Sequence, residues 1–185
     1  MKEFIRNILI KNGYDMHKLY PAGMIRFMPK KENMIGIEIG VLYGYNAKSI
    51  FETCSINKLY LIDPYDCYEG FNDTIKENLG KAEIDAKKRL HKYDNKIQWI
   101  KKKSEDSFRD IKEKVDFVYI DGNHAYKYVK KDIEIYYQLL KKGGIIGGDN
   151  FNNTIDYGVA DAVLEFANKN NKKLNFYQDS WWLIK

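Results

Sequence analysis

The sequence is short of the residues that staple small proteins or separate domains. Its two cysteines, Cys54 and Cys67, cannot build a disulfide framework, so a core must hold the fold. A reducing cytoplasm is the expected setting, and Met1–Ile10, broken by Glu3, Arg6 and Asn7, does not read as a secretory signal. Two of only three prolines fall before residue 30, and no linker, repeat or low-complexity tract follows. No apolar run approaches the roughly 18–20 residues of a membrane span. Neither charge dominates: 31 Lys and Arg against 26 Asp and Glu leave +5. The short basic runs, such as Lys101-Lys102-Lys103, stand at the edges of periodic segments. They read as solvated element ends sooner than as a nucleic-acid patch.

Aromatic residues, in contrast, make up 15% of the 185 residues, too many for a solvated polar chain. From Met34 onward two kinds of segment alternate. Ile35–Ile39, Leu59–Ile62, Ile97–Ile100, Val115–Ile120 and Ile145–Ile146 are short apolar runs and read as buried strands. Between them the spacing predicts helices over Tyr45–Thr53, Asp73–His91, Tyr126–Leu140 and Val159–Asn168. Strand and helix in repetition imply an α/β fold: a Rossmann-like, doubly wound, mostly parallel sheet. Leu174–Tyr177 and Trp181–Ile184, separated by Gln178-Asp179-Ser180, predict a closing hairpin and an antiparallel C-terminal strand. Residues 1–33 are expected to form an N-terminal helical segment, with Phe27 and Met28 in a substrate lid. Residues 34–185 then form the catalytic part of one domain. In an open sheet of this kind ligands bind beyond the carboxyl ends of the strands.

The first strand runs into a glycine turn, Glu38-Ile39-Gly40-Val41-Leu42-Tyr43-Gly44. Gly40 permits the tight turn, and Gly44 lets the helix pack close to the sheet. A dinucleotide fingerprint would carry glycine where Glu38 stands. A carboxylate there repels a pyrophosphate, which disfavours a nicotinamide oxidoreductase, and suits a cationic ligand such as a sulfonium with a free amine. A Glu38 facing solvent is the plain alternative. Asp63, closing the second strand about 20 residues on, is placed for the two hydroxyls of an adenosine ribose; a cap before Pro64 is its plain alternative.

These residues resemble the class I S-adenosylmethionine-dependent methyltransferases. Phe117-Val118-Tyr119-Ile120-Asp121-Gly122-Asn123-His124 and Gly143-Gly144-Ile145-Ile146-Gly147-Gly148-Asp149-Asn150 are similar to the small-molecule O-methyltransferases, both the D-G-x-H branch and the metal-dependent catechol type. The resemblance runs from about Met34 to Lys185 and includes Trp181-Trp182-Leu183-Ile184. It implies that Glu38, Gly40 and Gly44 hold the methionine end of S-adenosylmethionine and Asp63 the ribose. Ser104 and Glu105 would take the adenine side, and Asp121 would lie near the methionine amine and the metal. The chain departs from the catechol type in its short N-terminal segment and in having His124 where that group has a catalytic lysine.

Asp121 follows the fourth strand, and Asp149 and Asn150 follow the fifth. Three oxygen donors at one sheet edge suit magnesium, manganese or calcium. Turns capped by their own side chains are the alternative. His124 is a natural general base near neutral pH, or a ligand in place of Asn150, or a loop histidine. The loop at 152–157 should border the acceptor. The expected activity is methyl transfer to a hydroxyl of a sugar, a glycoside or polyketide, or a catechol-like ring, with a homodimer as the expected assembly and no membrane or nucleic-acid partner. RNA methylation and a non-catalytic S-adenosylmethionine-binding partner subunit are the rival readings.

Overall fold

The computed structural model describes residues 23–66, 79–151 and 158–185. Seven strands form one sheet: β1 (Met34–Ile39), β2 (Ile56–Ile62), β3 (Ile97–Ile100), β4 (Val115–Ile120), β5 (Leu140–Gly148), β6 (Asn175–Tyr177) and β7 (Ser180–Ile184). Their spatial order is β3-β2-β1-β4-β5-β7-β6. The first five run parallel. β7 pairs antiparallel with β5 and with β6, so the expected closing hairpin is present.

Six helices flank the sheet in the described residues: α1 (Gly23–Arg26), α2 (Tyr45–Thr53), α3 (Leu79–Leu90), α4 (Ser104–Ser107), α5 (Tyr126–Leu139) and α6 (Val159–Lys169). Side chains alternate across a strand, so each strand feeds two cores. On one face Ile37, Ile39, Val118, Ile120 and Ile146 meet Val129, Ile133 and Tyr136 of α5 and Val163 and Phe166 of α6. On the other, Leu59, Leu61, Phe117 and Tyr119 meet Met24, Ile50, Ala82, Ala86 and Leu90 from α1, α2 and α3. Helices on both faces make the architecture doubly wound.

Strands β3 and β4 and helix α2 have the predicted bounds. The first part of the helix expected over Asp73–His91 lies outside the described residues, as do residues 1–22 of the N-terminal segment and the loop at 152–157. β5 is longer than Ile145–Ile146. Lys141-Lys142-Gly143-Gly144 reads as a turn, yet Leu140 already pairs with Val115, and β5 bulges through the glycines before Ile145 pairs with Phe117. Of the two residues expected in a lid, Met28 is core, and Phe27 is exposed and stacks on Trp182 at 4.9 Å.

The base of the sheet is pinned by Asp116. It accepts the Ile35 amide at 2.9 Å and the Lys141 ammonium at 2.9 Å, and it pairs with Lys31. Lys185 donates to the carbonyls of Tyr137, Gln138 and Leu140 and so closes the C-terminus of α5. Among the described residues no helix is long and apolar enough to cross a membrane.

Candidate active site

The strand order reverses between β1 and β4, and the backbone crowds there. Gly40 has φ +82°, and a Cβ on it would stand 2.0 Å from the Asp121 carbonyl oxygen. The position therefore excludes every side chain. Gly44, at φ +73°, approaches Ala86 and Leu90 of α3, so the close contact is with a helix and not with the sheet as expected.

Glu38 faces inward and not toward solvent, with 1% of its surface exposed. Its Oε1 accepts the Asn46 side-chain amide at 3.2 Å, while Oε2 is buried with no hydrogen-bond partner. Burial drives its pKa well above the usual carboxylate value, and Asp121 and Asp63 push it further; Asn46 opposes them. An orphaned carboxylate oxygen among other acids is a site for a positive group. That fits the free amine of an amino-acid cofactor.

Asp63 is the turn cap offered as its plain alternative. Its Oδ2 accepts the Val41 and Leu42 amides, each at 2.9 Å, and its Oδ1 accepts Tyr65 at 2.8 Å. It caps its own turn and also pins the glycine turn to β2. A carboxylate offers about four acceptor positions, so one remains unused by these amides.

A groove opens beside these residues. Gly40, Asp63, Asp121 and Ser104 line it together with Asp66 and Asp132. Glu105 is absent from the lining; its carboxylate pairs with Lys131 on the outer side of α4 and α5.

At the acceptor side, β4 and β5 lie together as expected, with Ile120 opposite Gly148. His124 Nε2 stands 3.3 Å from Asp121 Oδ1. The imidazole is mostly buried, at 13% exposure, and the carboxylate is 35% exposed. Asp149 Oδ1 accepts the Ser180 hydroxyl at 3.1 Å, and Ser180 in turn accepts the Gly23 amide at 2.9 Å. Burial raises the Asp149 pKa, which Ser180 and the Asn150 backbone oppose. Asn150 takes the left-handed conformation, φ 62°, that asparagine tolerates best among non-glycine residues. Among the described residues no three His, Cys, Asp or Glu side chains stand close enough together to hold a metal ion. The expected ligand set is two carboxylates and an amide oxygen, donors of the kind a hard cation takes.

Three site residues escape the sequence reading. Asn46 holds Glu38 without any motif to mark it. Ser180 reads as part of a turn. Asp132 did leave a signal: it falls on the apolar stripe of α5, three residues after Val129 and four before Tyr136, where a charge is out of place.

A doubly wound sheet with a glycine turn at its switch point gathers acids at the edge where open α/β sheets bind their ligands. Residues 37–151, well over half of the chain, match the family model described as a methyltransferase domain, and the chain belongs to that family. A curated relative, the uncharacterised protein R132 of Acanthamoeba polyphaga mimivirus, is 28% identical over 145 residues. That match covers 76% of this chain, which spans about 60% of the relative's length. A Staphylococcus aureus structure assigned as a caffeoyl-CoA O-methyltransferase superposes with a TM-score of 0.62 at 20% identity, covering 99% of this chain and 91% of that one. Precorrin 8w decarboxylase from Methanobacterium thermoautotrophicum superposes equally, at 0.62 and 12% identity, covering 87% and 85%. Such likenesses establish the fold, and the reaction must be argued from the site.

Proposed function

We propose that the chain is an S-adenosylmethionine-dependent O-methyltransferase acting on a small-molecule hydroxyl. The observation that carries the reading is the unpartnered, buried Glu38 Oε2 behind the glycine turn, next to a groove lined by Gly40, Asp63 and Asp121, with His124 Nε2 3.3 Å from Asp121 Oδ1 behind that lining. Glu38 would bind the cofactor's ammonium. Gly40 lets the chain pass close to the methionine moiety, and the remaining acceptor position of Asp63 would take a ribose hydroxyl.

In the reaction the S–CH3 bond of the sulfonium breaks and an O–CH3 bond forms. His124 would accept the hydroxyl proton as the oxygen attacks, and Asp121 would orient the imidazole and stabilise its charged form. Positioning supplies most of the remaining rate, because methyl transfer needs no covalent help from the protein. Acceptors that suit this site are a sugar, a glycoside or polyketide, or a catechol-like ring. Asp121, Asp149 and Asn150 would hold a divalent cation; when bound, the ion lowers the pKa of the acceptor hydroxyl and fixes its direction.

Calorimetry with S-adenosylmethionine, S-adenosylhomocysteine and NAD tests the cofactor. Binding of the first two and not the third is expected; tight NAD binding with no response to the others overturns the reading. Activity after chelation, with magnesium, manganese or calcium added back, tests the metal. Unchanged turnover in chelator would leave Asp149 and Asn150 as acceptor or structural residues.

A further inference from the structure

The groove ends on a carboxyl group that the cofactor motifs do not predict. Asp132 of α5 is 2% exposed, yet it lines the groove next to Ser104, with which its side chain hydrogen-bonds. The Tyr136 hydroxyl, one turn further along α5, donates to the Ser104 carbonyl at 2.7 Å. Asp132 and Tyr136 thus clamp the start of α4 from below. Glu105, the acid expected at this end, points outward to Lys131 and is half-exposed. We propose that Asp132, not Glu105, is the adenine-recognition residue, its carboxyl group meeting the amine edge of the ring. This deepens the reading of the groove as an S-adenosylmethionine site and rests on it.

The chemistry follows from the two edges that meet. The amine edge of adenine offers a donor beside an acceptor, and a neutral carboxylic acid offers the complementary pair in one plane. An ionised carboxylate keeps only the bond to the amine and repels the ring-nitrogen lone pair. Burial raises the Asp132 pKa to about 7, Glu105 pushes it the same way, and Ser104 and Lys131 oppose. The other titratable groups lining the groove are Lys103 of the β3–α4 connection, Tyr128 of α5, Asp63 and Asp66 after β2, and Asp121 after β4. A purine that takes the neutral form therefore binds more tightly below neutrality than above it.

The test is calorimetry of S-adenosylhomocysteine at pH 6 and pH 8.5 with the full chain and with Asp132→Asn, Asp132→Leu and Glu105→Gln. An asparagine amide presents the same donor and acceptor at any pH. Wild type should lose roughly tenfold or more in affinity between the two pH values. Asp132→Asn should bind within about threefold of wild type at pH 6 and lose that part of the pH dependence. Asp132→Leu should bind poorly at both, and Glu105→Gln should follow wild type. A pH dependence in Asp132→Asn equal to wild type overturns the proposal, as does a folded Asp132→Leu that binds normally. If wild type itself binds no S-adenosylhomocysteine, the cofactor reading fails, and the proposal fails with it; binding by wild type with indifferent Asp132 variants sinks the proposal alone.

Discussion

A carboxylate that accepts three backbone amides cannot be removed without stranding all three. Asp63→Ala should therefore lower stability as well as cofactor affinity, by about 2 kcal/mol, because Val41, Leu42 and Tyr65 lose an acceptor in a partly buried turn. Urea unfolding of the ligand-free protein checks the stability term separately from calorimetry; an unchanged midpoint would leave Asp63 as a ligand contact only. His124 is held differently, with its Nε2 3.3 Å from Asp121 Oδ1. His124→Ala should lower turnover about 10²–10⁴-fold and leave S-adenosylhomocysteine binding nearly intact, as loss of a general base does. Full activity in that variant would make it a loop histidine. The strand-end acids were legible because chemistry and position coincide in a parallel sheet: Asp63, Asp121 and Asp149 follow apolar runs, and Glu38 interrupts one a residue before its glycine turn. Asn46 and Ser180 were not, because their roles arise from contacts between α2 and β1 and between β7 and β5, which no local pattern encodes.

At the level of elements, the periodic signal worked where one face was clearly apolar. α2 and β4 have the predicted bounds because their stripes end abruptly, α2 at Cys54 and β4 at Asp121. β5 was underestimated because a strand that begins Leu-Lys-Lys-Gly-Gly has turn composition, and only its pairing with β4 makes it a strand. α4 is a single turn and has too few residues for any period. The junction most sensitive to change is the one between β1 and β4. Gly40→Ala places a methyl 2.0 Å from the Asp121 carbonyl at a backbone angle that costs roughly 1–2 kcal/mol by itself. Overpacking of a closed contact adds a further 1–3 kcal/mol or so. The variant should lose about 3 kcal/mol or more, read as a lowered denaturant midpoint, and the strand ends must part to accept it. A variant as stable as the parent would mean the two strand ends are not in fixed contact.

For the molecule as a whole, the acids whose pKa burial raises and the ion-paired Asp116, whose pKa is lowered, pull stability in opposite directions with pH. Glu38, Asp132 and Asp149 have folded-state pKa values above their ordinary ones, each first through burial. Such a group contributes fully below its unfolded pKa, near 4, and loses that contribution as pH rises through its folded value. For Asp132, raised from 3.8 to about 7, the loss between pH 4 and pH 8 is at most about 4 kcal/mol. Asp116 goes the other way. Although burial pushes its pKa up, the Ile35 amide and the Lys31 and Lys141 ammonium groups outweigh that and lower it. Its contribution is present above about pH 4 and is lost only as pH falls through its depressed value. Between pH 5.5 and pH 8.5 the buried acids therefore decide the slope, and the ligand-free protein should melt roughly 5–10 °C higher at the lower pH. Asp132→Asn should remove a large part of that slope. Bound S-adenosylhomocysteine should flatten it further, because an ammonium beside Glu38 stabilises the ionised carboxylate that burial penalises. Thermal melts of wild type and Asp132→Asn across this range, with and without ligand, measure all three effects. A wild-type curve that is flat, or that rises toward pH 8.5, would show that water reaches these carboxylates and that they carry no burial penalty.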